Sequence, residues 1–580
     1  MENFVEAVVI GSGFGGAINA CRLARKWPGK VVVLERGRRY GLGEFPRSPG
    51  DFSKNFWASS YPHARAARPR RIQQAVEKSG GDLHGLYDVR NYSHLDVVVC
   101  AGLGGGSLIY ANVFLIPPDQ VWNERWPASC QKAVLLPYYE VVKSVLGSRP
   151  IPINDDPRRR IERTRLFERA AAAVNRQSQL VDINVFFGND FEHPTPIGVQ
   201  ELNRHGALQT SCTYCGECIA GCNYHAKNTL DLNYLYAAEH KHGADIRTDC
   251  LATKIVPLNE KGDESPESDG RFGYQVHYRQ LMKNQDERVK TKRVILSAGT
   301  LGSTEMLLRC KLKFKTLPRI SEQIGQNYSA NGDFLSFVLE EFEGGSNYGP
   351  TITQATDYNL FHEFDGNRAF IVEDVSIPSF LGWFVEGVRP RWMWWNPIAR
   401  AVRAILKNIT SGKSPGVLGA AFSDLLTGAI SPQSATLICM GLDSGSGQMS
   451  LDSGGDLWIQ WPWRDNLDLY DAIVAASKAF RDSIGAKSFT PLPTWDWPIR
   501  NNFTVHSLGG CVLSDTPETG VTDANRHFGA VFGYEGLYVA DGAIVPTAVG
   551  ANPSATISAL SEMVAHGITN LPPTSDICAR

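Results

Sequence analysis

The stretch that most constrains the fold is the first, Val5 to Trp27, VEAVVIGSGFGGAINACRLARKW. A β-branched run, Val8-Val9-Ile10, feeds into Gly11-Ser12-Gly13-Phe14-Gly15-Gly16. A helical pattern follows, in which Ile18, Cys21 and Leu23 can face a sheet. A second apolar run, Val31-Val32-Val33-Leu34, ends in Glu35. This is a βαβ unit with G-x-G-x-x-G at Gly11, Gly13 and Gly16. Such glycines allow the tight turn, let the backbone approach a pyrophosphate and let the helix pack close to its strand. The helix N-terminus adds N–H donors and a positive dipole end for the phosphates. Glu35, 19 residues past Gly16, stands where an acid accepts from a ribose hydroxyl. The unit predicts dinucleotide binding and argues against NADP, leaving FAD and NAD open.

A chain of 580 residues is too long for one hydrophobic core, so two connected domains are expected. With 43% hydrophobic and 20% charged residues and a net charge of −2, it reads as a soluble globular protein with no nucleic-acid partner. The strand starting near residue 5 leaves no room for a signal peptide, and no apolar run is long enough to span a bilayer. The expectation is an intracellular protein, cytoplasmic or peripherally membrane-associated. Its 12 cysteines are then not a disulfide framework.

Further on, Leu95-Asp96-Val97-Val98-Val99-Cys100 runs into Ala101-Gly102-Leu103-Gly104-Gly105-Gly106-Ser107-Leu108-Ile109-Tyr110-Ala111-Asn112. Three consecutive glycines after a buried strand make either a flexible turn or a surface on which a planar ring lies against backbone. Together with the N-terminal unit, this G-x-G-G-G-S-x-x-x-x-N segment resembles the glucose–methanol–choline (GMC) oxidoreductase family, in particular its cholesterol-oxidase-like branch. The resemblance implies an α/β fold, a Rossmann-type FAD-binding domain with an interleaved α+β substrate-binding domain. The FAD-binding part would take residues 1–115, 211–335 and 500–570. The substrate-binding part would take 116–210 and 336–499, with a lid-like insertion near 380–430. It further implies that Gly104, Gly105, Gly106 and Ser107 lie along the flavin and that Asn112 contacts its isoalloxazine. Some members tether FAD through a His after the glycines; Leu-Ile-Tyr-Ala stands there, so non-covalent FAD is expected.

In the intervening sequence, Leu136-Pro137-Tyr138-Tyr139 starts a helical stretch, and Asp155 to Arg165 reads as a charged, solvated face. Cys212, Cys215, Cys218 and Cys222 then follow the C-x2-C-x2-C-x3-C spacing of a ferredoxin-type iron–sulfur run, with Asn223 in place of the usual proline. Three readings stay open: ligands of an iron–sulfur cluster, structural or redox-active thiols, or tetrahedral zinc. Relatives of the cholesterol-oxidase type carry a Cys-rich segment before an Ala-Lys-Asn-Thr-Leu-Asp sequence, here Ala226 to Asp231. Val294 to Ser303 reads as a strand entering a helix; the resemblance puts Ala298-Gly299 near the adenosine. Arg389 to Pro397, with three tryptophans, leads into a basic amphipathic pattern, Ile398 to Lys407. Residues 389–407 suit a peripheral membrane contact, with a lid or dimer contact as the alternative.

At the C-terminal end stand His506 beside Ser507-Leu508-Gly509-Gly510-Cys511, then Asp541-Gly542 after a short strand, then Asn552-Pro553. Asp541 and Gly542 mark a strand end where a flavin meets a helix N-terminus. A lone His is more often structural, but His506 and Asn552 are placed as in cholesterol-oxidase-like enzymes, which implies that they converge over the reactive face of the flavin. An imidazole can accept or position the hydroxyl proton of an alcohol whose hydride goes to flavin N5, and an amide can hold that hydroxyl. One departure stands out. Cholesterol oxidases use a Glu above the flavin to move a double bond after oxidation, and between Ala429 and Leu451 the only acid before the next strand is Asp443. The expectation is FAD-dependent oxidation of the CH–OH group of a bulky apolar alcohol, sterol or lipid-like, with O2 or another redox acceptor. The competitors are a flavoenzyme without net oxidation, such as an isomerase or photoenzyme, and a flavin-bound lipid-binding protein.

Overall fold

The structure is a computed structural model that describes residues 4–57, 84–152, 156–339, 347–381, 434–486, 488–492, 495 and 500–579. The elements that place the site begin with β1 (Ala7–Ile10), α1 (Phe14–Lys26) and β2 (Val31–Leu34), then β3 (Tyr87–Tyr92) and β4 (Leu95–Cys100). After them come α2 (Lys132–Leu146), β5 (Ser178–Leu180), β6 (Asp245–Arg247), β7 (Val294–Leu296) and α3 (Gly299–Leu308). The chain continues through β8 (Phe334–Leu339), β9 (Gln354–Tyr358), β10 (Phe370–Val375), β11 (Ala435–Gly441), α4 (Leu467–Ser483) and β12 (Ser488–Pro491). It ends with β13 (Asn502–Thr504), β14 (Leu537–Val539) and α5 (Ser554–Thr569).

Five strands form a parallel sheet in the order β6-β2-β1-β7-β14, with Val9 opposite both Val33 and Ile295. Every residue of β1 and β2 is buried, as their β-branched composition requires for strands covered on both faces. Helix α1 packs on this sheet and against α5, where Arg22 makes a buried ion pair with Glu562 at 2.7 Å. Helix α2 lies on α5 through Tyr139, whose hydroxyl is 2.7 Å from Thr556 Oγ1; it begins at Lys132 and carries Pro137 inside it, four residues ahead of the expected start.

A second, antiparallel sheet of six strands has the order β12-β8-β11-β10-β9-β5. Helix α4 covers one of its faces with Leu469, Tyr470, Ile473 and Phe480, which share a core with Phe370 and Val372 of β10. Asp374, next in alternation with Val372, pairs with Arg163 at 3.0 Å on that side. Arg163 and Arg159 are both buried, which corrects the solvated face expected over 155–165: the acid in the sheet draws Arg163 inward. Glu373 therefore points from the opposite face of β10. The expected lid near 380–430 and the basic aromatic segment 389–407 lie almost wholly or wholly outside the described residues. Among the described residues no helix is long and apolar enough to cross a membrane.

Candidate active site

The glycines of the first turn are there because backbone comes too close for a side chain. A Cβ on Gly16 would stand 2.0 Å from the Gly11 carbonyl oxygen, and one on Gly15 would stand 1.4 Å from that of Ala540. Gly13 faces open space, the direction left for a ligand. The Gly104–Ser107 segment closes onto this turn: Gly105 has φ of +54°, and a Cβ there would meet Gly13 Cα at 2.6 Å. Ser107 is buried, with Oγ donating to Gly104 O and accepting from Leu230 N. Gly106 is open on its Cβ side. Both glycine segments, far apart in sequence, form one continuous backbone surface.

Glu35 sits at the end of β2, buried, and accepts from Ser12 N at 3.1 Å, Ser12 Oγ at 2.6 Å and Gly37 N at 2.8 Å. Burial holds its carboxyl above the ordinary range, against the pull of these donors. Ala298-Gly299 at the end of β7 and Asp541-Gly542 after β14 lie side by side, because β7 and β14 are neighbours. Asp541 accepts from Ala543 N at 2.8 Å and from Ser303 Oγ on α3; burial pushes its carboxyl up to about 6. The Cβ side of Gly299, like that of Gly13, is open. Asn112 has φ of +74°, a left-handed conformation that asparagine tolerates, and its amide is buried with neither Nδ2 nor Oδ1 hydrogen-bonded among the described residues. An orphaned buried amide is costly and calls for a partner. A planar, hydrogen-bonding ring against the 104–107 backbone would supply one, so the residues present fit a flavin dinucleotide.

His506 is positioned by a loop that gave no catalytic signal in the sequence. Its Nδ1 is 2.8 Å from Asp333 Oδ1, while Asp333 Oδ2 accepts from Thr504 Oγ1 at 2.8 Å and Val505 N at 2.9 Å. An acidic partner on Nδ1 fixes the ring and leaves Nε2, which has no hydrogen bond among the described residues, for a reactant. Two residues away, Asn331 accepts from Val549 N and Gly550 N, each at 3.0 Å, and donates to Ala551 O at 2.8 Å. The 329–333 loop thus ties His506 to the segment that carries Asn552. Asp443 braces the loop, accepting from Ser329 Oγ, Ala330 N and Gly332 N; burial lifts it to about 6.

Asn552 Nδ2 donates to Glu373 Oε2 at 3.2 Å, and the other two oxygens of this pair, Asn552 Oδ1 and Glu373 Oε1, are buried without a partner among the described residues. Glu373 is fully buried, and desolvation pushes its carboxyl up to about 8. A buried carboxylate beside Asn552 thus comes from β10 and not from Ala429–Leu451, where Asp443 braces the 329–333 loop. In sequence the signal for Glu373 was faint: two adjacent carboxylates, Glu373 and Asp374, inside the otherwise apolar strand Phe370-Ile371-Val372-Glu373-Asp374-Val375.

The four cysteines fall outside this constellation. Cys212 and Cys218 are buried, Cys215 and Cys222 partly so, and none is in a disulfide. Among the described residues no three His, Cys, Asp or Glu side chains are spaced to hold a single metal ion, so tetrahedral zinc gains no support.

Two stretches, 195–330 and 443–561, match the family patterns of the GMC oxidoreductases. A cholesterol oxidase from Acinetobacter baumannii is 28% identical over 583 residues, covering 96% of this chain and 92% of the relative. A long-chain-alcohol oxidase from Arabidopsis thaliana is 21% identical, covering 98% of this chain and 67% of its own. Among solved structures, the pyridoxine 4-oxidase from "Mesorbium loti" shares the fold with a TM-score of 0.59 at 14% identity, over 98% of this chain and 100% of that one. Glycine surface, strand-end acids and family patterns agree: the chain carries both GMC oxidoreductase patterns and is an FAD-dependent alcohol oxidoreductase.

Proposed function

We propose that the protein oxidises the CH–OH group of a bulky apolar alcohol, sterol or long-chain, with His506 and Asn552 at the reacting carbon. The observation that carries this reading is the trio of unused polar atoms: His506 Nε2, Asn552 Oδ1 and Glu373 Oε1, the last two buried. Bound FAD supplies the hydride acceptor and is held without a covalent tether, since residues 108–111 are Leu-Ile-Tyr-Ala. His506 Nε2 takes the hydroxyl proton, and Asp333 stabilises the resulting imidazolium. Asn552 holds the hydroxyl oxygen through the second hydrogen of Nδ2, the first being given to Glu373, and orients it without a change of charge. The likeness to a cholesterol oxidase and a long-chain-alcohol oxidase supports an apolar substrate, with O2 or another acceptor reoxidising the cofactor.

Glu373 extends the reading. Pushed up to about 8 inside the site, Glu373 in its ionised form is a stronger base than an ordinary carboxylate; it can take a proton from the carbon next to a newly formed ketone and return that proton to another carbon, the chemistry of double-bond migration. His506→Ala or Asn552→Ala is expected to keep bound FAD but lose most anaerobic bleaching of the flavin by alcohol; normal bleaching in either variant overturns the assignment.

A further inference from the structure

We propose that Cys212, Cys215, Cys218 and Cys222 hold a [4Fe–4S] cluster beside the flavin-lining segment, a second redox centre that the alcohol chemistry above does not require. The geometry begins with convergence. All four cysteines, with Val185, Ala226 and Lys227, line a single void. The C-x2-C-x2-C-x3-C spacing puts four thiols within one short loop, as a cubane needs. The void need not be large, since irons bond to the sulfurs at covalent distance rather than at van der Waals contact.

The surroundings favour an anionic group. Backbone N–H groups already donate to two of the sulfurs, Tyr214 N to Cys212 Sγ at 3.4 Å and Ala226 N to Cys222 Sγ at 3.2 Å. Such bonds stabilise charge on cluster sulfur. The Lys227 ammonium, 1% exposed, lies at the wall of the void. It donates to Leu108 O at 3.1 Å, Tyr110 O at 2.8 Å and Cys218 O at 3.0 Å, and pairs with no carboxylate among the described residues. Its other contact is the face of the Tyr110 ring, 4.7 Å from Nζ; carbonyls and a ring face solvate a buried cation without neutralising it, and a thiolate-ligated cluster supplies a counter-charge. Leu108 and Tyr110 flank the flavin-lining glycines, so Lys227 joins the cysteine loop directly to that segment.

The loop is also closed off. Gly221 abuts Phe45, where a Cβ would meet the ring at 2.1 Å, and Arg47 donates to Gly221 O at 2.7 Å. Asn223, in place of the usual proline, bonds Phe45 N at 2.8 Å and Phe45 O at 3.1 Å and so anchors this cover.

The test uses the full chain, purified anaerobically and reconstituted with ferrous iron and sulfide. The expected result is about four irons and four acid-labile sulfides per chain beside FAD, with a low-temperature EPR signal after dithionite reduction. The Cys215→Ser and Cys222→Ser variants should lose that signal while keeping FAD and alcohol-dependent bleaching. FAD-replete protein that takes up no iron, or that holds one zinc per chain, overturns the proposal. So does iron retained when all four cysteines are serine.

Discussion

Asp333 is the residue whose removal separates orientation from binding. In Asp333→Asn, the amide can still bond Val505 N and Thr504, but the imidazolium loses its counter-charge. The expected outcome is FAD content like the wild type with kcat lower by roughly tenfold or more; an unchanged kcat would remove Asp333 from the mechanism. Glu373 gives a stability prediction of definite sign. Its folded pKa, near 8, lies above the ordinary carboxyl value of 4.5, so the native state binds more protons than the unfolded state between those limits. Stability is therefore lost as pH rises from about 4.5 to 8. Glu373→Gln should raise Tm at pH 8, by a gain on the order of a few kcal/mol, with the gain vanishing near pH 5. A pH-independent difference would sink this account. Little of this could be read along the chain. Asp333 and His506 are 173 residues apart, and Glu373 and Asn552 are 179 apart. Only His506 and Asn552 stood beside recognisable neighbours, whereas their carboxylate partners arrive by tertiary folding.

At the scale of elements, what the sequence revealed is what is local. The βαβ turn, the glycine segment before Asn112 and the strand ends at Ala298 and Asp541 each carry their reason within a dozen residues. Their mutual contact does not: nothing near Gly105 announces that it must rest on Gly13. Gly105→Ala tests that contact, since it needs φ of +54° and drives a Cβ against backbone at 2.6 Å. The variant is expected to lose about 1–3 kcal/mol and most of its FAD, measured by flavin absorbance per chain; full FAD loading would show that the segments can separate freely. The six-stranded sheet was harder to foresee, because its strands alternate between a face under α4 and a face that carries Glu373, and short apolar runs alone do not tell the two apart.

Across the whole molecule, the proposed cofactor surface joins parts of the chain from Gly11 to Gly542, so FAD should act as a structural member. Free FAD at 100 times its Kd should stabilise the fold by about 2.7 kcal/mol, seen as a higher Tm than that of FAD-stripped protein; equal Tm values would mean that the apo fold is complete without it. The strand order has a consequence of another kind. β1 precedes its sheet neighbours in the chain, yet one of the two, β7, begins only at Val294, and β14 follows at Leu537. At about 5–20 residues per second, the nascent β1 leaves the ribosome with one edge bare for roughly 15 to 60 seconds before a partner exists. During that interval Val8, Val9 and Ile10 form an open apolar edge that can pair with any other chain. Synthesis of this enzyme is thus a race between elongation and aggregation, and its soluble yield should depend on chaperones that shield the amino-terminal hundred residues until the second half emerges.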